Sequence, residues 1–354
     1  MKRINTIAWM AALLLGAFCF SACDRLIYDQ EVSEDCTVAV RFRFDFNLKY
    51  ADAFRNEVHS VALYVFDKSG RLVTKASESG VPLTREDYTL EIPGLKTGIY
   101  DLVAWCGLED NDCFVVPDVT TKEELMCRIK TSVRTKAQET VSDKWLGGLF
   151  YGYVENADLI NLPRGSVNTI VIPLVKDTNS VTVLLQAITD GMDDVGILTP
   201  EQFDFVIYEN NAVLGWDNNL ANYNPLTYLP FNTKQGSITL NDGTEVLTAA
   251  VAEFAVGRLV KRVEHNPRLV ITQRSNGKVV FDIPLIDYFL MVKAHYVQSM
   301  PDQEYLDRQD DYSVAIFLEY KKGPGPGPDP EGYYVAARVY INGWQIVFMN
   351  PDLY

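Results

Sequence analysis

Val38-Ala39-Val40-Arg41-Phe42-Arg43-Phe44-Asp45-Phe46 decides the fold. Val38, Val40, Phe42, Phe44 and Phe46 are apolar, and Arg41, Arg43 and Asp45 stand between the later ones. A period of two over nine residues is the signature of a half-buried strand, because successive side chains point to opposite faces.

Further β-rich runs lie on either side of a join at 174–179. Before it, strands are predicted over 58–66, 88–92, 98–105 and 167–175, with a turn at 67–70 leading into 71–73. After it, they are predicted over 180–187, 203–208, 236–241, 246–256, 268–273, 279–283, 312–320 and 333–347. Residues 49–54 suit a helical turn. The main helical candidate is 120–134, with Leu125, Met126 and Ile129 at spacings of three to four. Short strands, Gly/Asn/Asp turns and little helical period predict an all-β fold built from sandwiches or barrels. The 354 residues suit two such units. The expected division is 1–22 leader, 23–35 acidic tether, 36–176 N-terminal β-sandwich and 177–354 C-terminal β-sandwich. The run 323–331, alternating Gly and Pro, reads as an extended solvated loop.

A hydrophobic content of 47% and an aromatic content of 12% suit packed cores and argue against disorder. The formal charge of −15 repels phosphate backbones, so nucleic acid is not an expected partner. Ahead of the first strand, Lys2 and Arg3 precede an apolar run over 7–20, closed by Ser21-Ala22-Cys23. That order is a secretory signal, and a run of roughly 14 residues is too short to span a bilayer, which takes about 20. A cysteine directly after small residues resembles the bacterial lipoprotein pattern, which implies cleavage before Cys23 and acylation of its thiol. Two or more acyl chains anchor a protein firmly where one does not. An ordinary signal peptide cut elsewhere is the alternative.

Cys36, Cys106, Cys113 and Cys127 remain beyond Cys23. In an exported chain they can pair. Cys106 and Cys113 flank an acidic turn and suit a local loop-closing disulfide. Equally, Cys106 beside Trp105 on an apolar strand suits a buried, reduced thiol. No CxxC spacing supports zinc, and His59, His265 and His295 lack ligand spacing. No cofactor or metal is therefore expected. Glu304, Asp307, Asp310 and Asp311, and Glu109, Asp110 and Asp112, form acidic clusters that read as solvated loops rather than a Ca²⁺ loop. HExxH, GxSxG and P-loop motifs are absent, so no catalytic residues are assigned and an enzyme is not expected.

Several blocks resemble the fimbrillin-associated anchor proteins, minor subunits that fix type V pili to the outer membrane. They are the segment 26–67 with Lys49-Tyr50-Ala51-Asp52-Ala53-Phe54; the segment 98–108 with Trp105-Cys106-Gly107-Leu108; Val256-Gly257-Arg258-Leu259 with Gln303-Glu304-Tyr305-Leu306-Asp307-Arg308; and Ile341-Asn342-Gly343-Trp344. The resemblance implies two transthyretin-like Greek-key β-sandwich domains in a lipid-anchored fimbrial subunit of the cell outer membrane. It further implies a role as anchor and growth terminator, with a fimbrial shaft subunit as partner.

The expected mechanism is strand exchange, in which an extended strand fills a sheet edge and groove. With no separate extension after 349 expected, the candidate strand is 333–349, with Val335, Ala337, Val339 and Ile341 on one face. The alternative is that it is the permanent last strand of its own domain. The rival readings of function are a glycan-binding surface lipoprotein, using Trp216, Tyr223, Tyr228 and Trp344, and a pilus-tip adhesin.

Overall fold

The structure, a computed structural model, describes residues 36–110, 112–134, 138–159, 168–188, 197–239, 245–323 and 332–346. The leader, Cys23, the tether, most of the Gly-Pro run and residues 347–349 of the candidate strand lie outside the described residues.

Strands are numbered in chain order. The first sheet has seven strands, ordered β3 (Leu72–Ser79), β2 (Ser60–Phe66), β5 (Ile99–Cys106), β10 (Phe150–Asp158), β11 (Asn168–Lys176), β1 (Cys36–Arg43) and β4 (Leu90–Leu95). The strand that opens the chain sits inside this sheet, parallel to β11 and antiparallel to β4. Its alternation sends Val40 and Phe42 into an inner core with Leu63, Leu102 and Phe150, while Arg41 and Arg43 face solvent. Strand β2 is buried at every residue. Coverage on both faces is why its sequence, SVALYVF, is a nearly continuous apolar run.

Two six-stranded sheets follow. One is ordered β16 (Asn232–Thr239), β17 (Glu245–Gly257), β12 (Thr178–Ala187), β20 (Asp311–Lys321), β21 (Tyr333–Ile341) and β22 (Trp344–Ile346). The other is ordered β19 (Val279–Pro284), β18 (Arg268–Gln273), β13 (Phe203–Glu209), β15 (Leu226–Tyr228), β9 (Glu139–Ser142) and β8 (Ser132–Arg134). Val181, Val183, Phe203, Phe205, Phe254 and Ile316 fill the core they share. The molecule is an all-β sandwich protein. A three-stranded sheet of β14 (Val213–Gly215), β7 (Met126–Ile129) and β6 (Phe114–Val115) completes it.

Two pairings cross the 176/177 position: β7 bonds β14, and β9 lies parallel to β15. The apolar contact crosses it too. Ala62, Tyr64, Phe66, Val103 and Trp105, on the outer face of the first sheet, belong to the same buried cluster as the second sandwich. Each large apolar side chain fully buried contributes roughly 1.5–3 kcal/mol, against about 0–1 for an exposed ion pair. The halves are therefore held mainly by shared core.

The helix expected over 120–134 is not formed. Thr121 and Glu124 make a true capping box, but it starts only one 3-10 turn, Lys122–Glu124. Beyond it the chain runs as β7 and β8, with Leu125 and Cys127 buried and Arg128 exposed. The spacing that matters is two, from Leu125 to Cys127, and pairing with β6 and β14 outweighs the weak helical signal. Conversely, helices Leu285–Met291 and Asp302–Arg308 were not anticipated. Helix Phe54–Glu57 begins at the last residue of the turn expected over 49–54. Within the run expected over 333–347, Tyr333–Ile341 and Trp344–Ile346 are two strands joined at Asn342 and Gly343, whose φ values of 50° and 82° suit the Asn-Gly hairpin turn.

Candidate functional site

Two features stand out: a buried polar junction between the halves, and the open edge at the C-terminal hairpin. The junction begins where β11 passes directly into β12 through Asp177. Its N–H donates to the Leu149 carbonyl at 2.7 Å, and its carboxylate is fully buried. Asn218 Nδ2 donates to Asp177 Oδ1 at 3.0 Å. The guanidinium of Arg258, which follows β17, grips Asp307 with two bonds, Nε–Oδ1 at 2.9 Å and Nη2–Oδ2 at 2.8 Å. It also donates to the Asn218 carbonyl and stands 3.6 Å from Asp177.

Burial pushes Asp177 up to about 7, against the pull of the Arg258 charge and the Asn218 amide. Arg258 cannot hold it lower because its planar fork is committed to Asp307. Burial opposes the charge on Arg258 itself, but Asp307 and Asp177 keep its pKa above the ordinary value. Gly257 N–H donates to Tyr228 Oη at 3.0 Å, Tyr228 donates to Asn211 Oδ1 at 2.6 Å, and Asn211 Nδ2 returns to the Arg258 carbonyl at 3.0 Å. The cavity of about 10 Å³ beside Asp177 and Asn211 is too small for a ligand.

Two sequence blocks far apart in the chain meet beside this network. Arg308 stacks over Phe46, 3.8 Å from the ring centroid, and over Tyr50 at 4.8 Å, while its Nε bonds Glu304 at 2.8 Å. Leu48 N–H donates to the Arg308 carbonyl at 3.3 Å. Lys176 bridges Glu57 at 2.9 Å and Asp310 at 2.5 Å. Burial opposes its charge, yet these two carboxylates raise its pKa. Within the acidic cluster, Glu304, Asp307 and Asp310 thus each face a cation, and no group of three metal-ligating side chains is assembled among the described residues. The network was only half visible in the sequence: Arg258 and Asp307 lie in noted blocks, but Asp177 was missed. Its signal was a lone acid between two apolar strands.

The disulfide suggested for Cys106 and Cys113 is not formed. Cys106 is a free, fully buried thiol in the inner core of the first sheet. Cys113 lies in the other cluster, with its thiol donating to the Trp145 carbonyl at 3.2 Å. The sheet itself separates them.

The candidate strand residues do not share one face. A bulge between Ala336 and Arg338 leaves Ala337 without a partner on β20. Val339 and Ile341 are buried, whereas Val335 and Ala337 are exposed. One inserted residue reverses the face beyond it. Strand β21 is paired on both sides, by β20 and β22, and among the described residues β22 is one of the two edges of that sheet, with β16 at the other. The turn leaves Ile341 opposite Trp344, so this pair exchanges both main-chain bonds and Gln345 turns its N–H and C=O outward. Beside the edge, His295 stacks on Trp344 with centroids 3.7 Å apart. The four aromatics considered for glycan binding do not make one surface: Tyr228 is fully buried, and Trp216 lies under Lys122, whose ammonium is 4.1 Å from its ring.

The all-β fold is shared with several solved structures. The chain is similar to a proposed adhesin of Bacteroides thetaiotaomicron, 28% identical over 88% of this chain and 97% of that one, with a TM-score of 0.71. A proposed polysaccharide-binding protein of the same organism is 30% identical over 90% and 99%, again at 0.71. The fimbrial anchor protein Mfa2 of Porphyromonas gingivalis shares the fold at 21% identity and a TM-score of 0.62, over 88% of this chain and 99% of that one. In sequence, the minor fimbrium anchoring subunit Mfa2 of that organism is 24% identical over 92% of this chain and 90% of its own length. The profile of the fimbrillin-A associated anchor proteins Mfa1 and Mfa2 matches residues 33–350, and the chain belongs to that family.

Proposed function

We propose that this protein is a lipid-anchored minor fimbrial subunit of the outer membrane, held through acyl chains on Cys23. It fixes a type V pilus to the cell and ends its growth. A subunit tethered by lipid cannot be passed outward along the fibre, so elongation stops where it joins. Tension in the fibre then runs through both halves to the tether, and the shared core with its Arg258 junction gives those halves one body to carry it.

The shaft subunit is gripped by strand pairing. Handing over β21 would strip pairing from Val314↔Ile341 to Lys321↔Tyr333 and expose Val339 and Ile341. Addition of a shaft strand at the open edge of β22 costs neither, so the hairpin of Val335, Ala337, Val339 and Ile341 serves as the seat for the incoming strand. The observation that carries this reading is the edge position of β22 among the described residues, with Gln345 facing outward, in a chain of the anchor family.

Gln345→Pro tests it. Proline removes an outward N–H while leaving the bonds between β21 and β22 in place. Loss of shaft capture by a folded variant is expected. Undiminished co-purification of shaft with the folded variant rules out pairing at this edge.

A further inference from the structure

Among the described strands three pairs run parallel, and two of them are long. Strand β1 lies parallel to β11 over six pairs, Val38↔Asn168 to Arg43↔Pro173. Strand β12 lies parallel to β20 over eight, Ser180↔Asp311 to Ala187↔Leu318. The two ladders are joined in series. Strand β11 ends at Lys176, β12 starts at Thr178, and Asp177 alone stands between them.

Parallel strands held at opposite ends must slide past each other, so the bonds of the ladder carry the load together. Held at neighbouring ends, they peel apart one pair at a time. The chain enters β1 at its N-terminal end, Cys36, from the side of Cys23. A pull from there is opposed by β11, which is held at its C-terminal end through Asp177. The evenly spaced bonds of a parallel ladder then share the force. One step on, β12 is drawn by its N-terminal end at Thr178 while β20 leads away at its C-terminal end, Lys321. A pull along the strands makes this second ladder slide as well. Sliding also drags buried side chains past one another. Val40 and Phe42 on β1, and Val183 and Leu185 on β12 facing Val314 and Ile316 on β20, are each at most 2% exposed. Water is excluded from that face of each ladder, so a breaking bond finds no ready substitute.

We propose that the two parallel ladders form a force clamp, two sliding locks in series that carry tension from the side of Cys23 to the sheet of β20, β21 and β22. Its use in the cell rests on the tether and fibre of the proposed function. The clamp itself is a property of the purified chain.

Single-molecule pulling on the full mature chain tests it. Handles at Asp24 and Lys322 load both ladders in the sliding direction. Handles at Asp24 and Thr169 hold β1 and β11 near their neighbouring N-terminal ends and peel them. Thr169 and Lys322 are exposed, so neither handle disturbs the core. Forced unfolding follows the unfolding barrier, and at one pulling speed the 24/322 pair should rupture at a force at least about twofold above the 24/169 pair. Arg41 and Val171 face each other across β1 and β11, and both are exposed. A disulfide in Arg41→Cys/Val171→Cys should remove from the 24/322 trace the extension of the loop it closes, until reductant is added. That extension is roughly 450 Å at about 3.3–3.6 Å per residue. A force ratio below about two overturns the proposal, as does a trace that the crosslink leaves unchanged; the ratio needs only surface handles, so it decides even if the crosslinked variant does not fold. The tether is judged separately, by fibre counts on cells carrying Cys23→Ala. A high ratio here with fibres still attached there sinks the tether alone, and a low ratio with fibres shed sinks the clamp alone.

Discussion

Replacing Arg258 with methionine keeps much of the side-chain volume but removes the guanidinium that, among the described residues, faces both Asp177 and Asp307. The change deletes the two-bond grip on Asp307 and the bond to the Asn218 carbonyl. The three side chains are 14%, 0% and 10% exposed for Arg258, Asp177 and Asp307, so solvent screens little of the loss. Removing one member of a buried charge set leaves the others uncompensated and costs about 3–5 kcal/mol. The cost should depend on pH with a definite sign. Asp177 holds a proton more tightly when folded, up to about 7 against its ordinary 3.8. Its contribution to stability is full below about 4 and is lost as pH rises through 7. Without Arg258 its carboxyl rises further, so Arg258→Met should be more damaging at pH 8 than at pH 5. Urea unfolding followed by tryptophan fluorescence at both pH values measures this. Adding Asp177→Asn should recover part of the loss and flatten the pH dependence. A loss below about 1 kcal/mol, or the same loss at both pH values, refutes the view that this network locks the halves.

Three further outcomes follow from the packing. Gly107 has φ near 88°, and a Cβ there would lie 1.9 Å from the Gly148 carbonyl oxygen. Gly107→Ala should therefore cost more than about 3 kcal/mol in urea unfolding or prevent folding, because a main-chain atom must move. Ile341→Asp should destabilise by about 3–5 kcal/mol while Val335→Asp stays within about 1, since one side chain is fully buried and the other 38% exposed; equal costs would refute the bulge at Ala337. Burial pushes the thiols of Cys106 and Cys127 well above their usual range, so both should resist iodoacetamide at pH 8 until urea unfolds the chain. Mass spectrometry showing rapid modification of either in the native protein contradicts the packing.

The β-rich character was legible because a strand with one face in water must alternate, as β1 does. Strands β13 and β18 were equally plain. Strand β10 was overlooked although it lies between β5 and β11 in the first sheet. Its sequence, FYGYVENAD, carries polar residues at its far end and a glycine that sits against Ile172 and Leu174, so no pattern of alternation emerges. The crossing of residues 114–142 into sheets of the second half was invisible for a different reason. Strands of two to four residues carry too little periodicity, and their partners at 213–228 are set by tertiary contact. The junction was harder still. A buried acid looks in sequence like any surface acid, and only the fold brings Asp177, Arg258 and Asp307 together. The open edge at Gln345 depends on a two-residue turn that Asn342-Gly343 announces, yet it was hidden inside one apolar run.

The most direct measurement is a count of fimbriae on cells and in the medium for Cys23→Ala, with the protein's folding and export checked by immunoblot of the envelope. Longer fibres shed into the medium are the expected outcome. Fibres that stay on the cell at their usual length and number would contradict lipid anchoring as the basis of attachment.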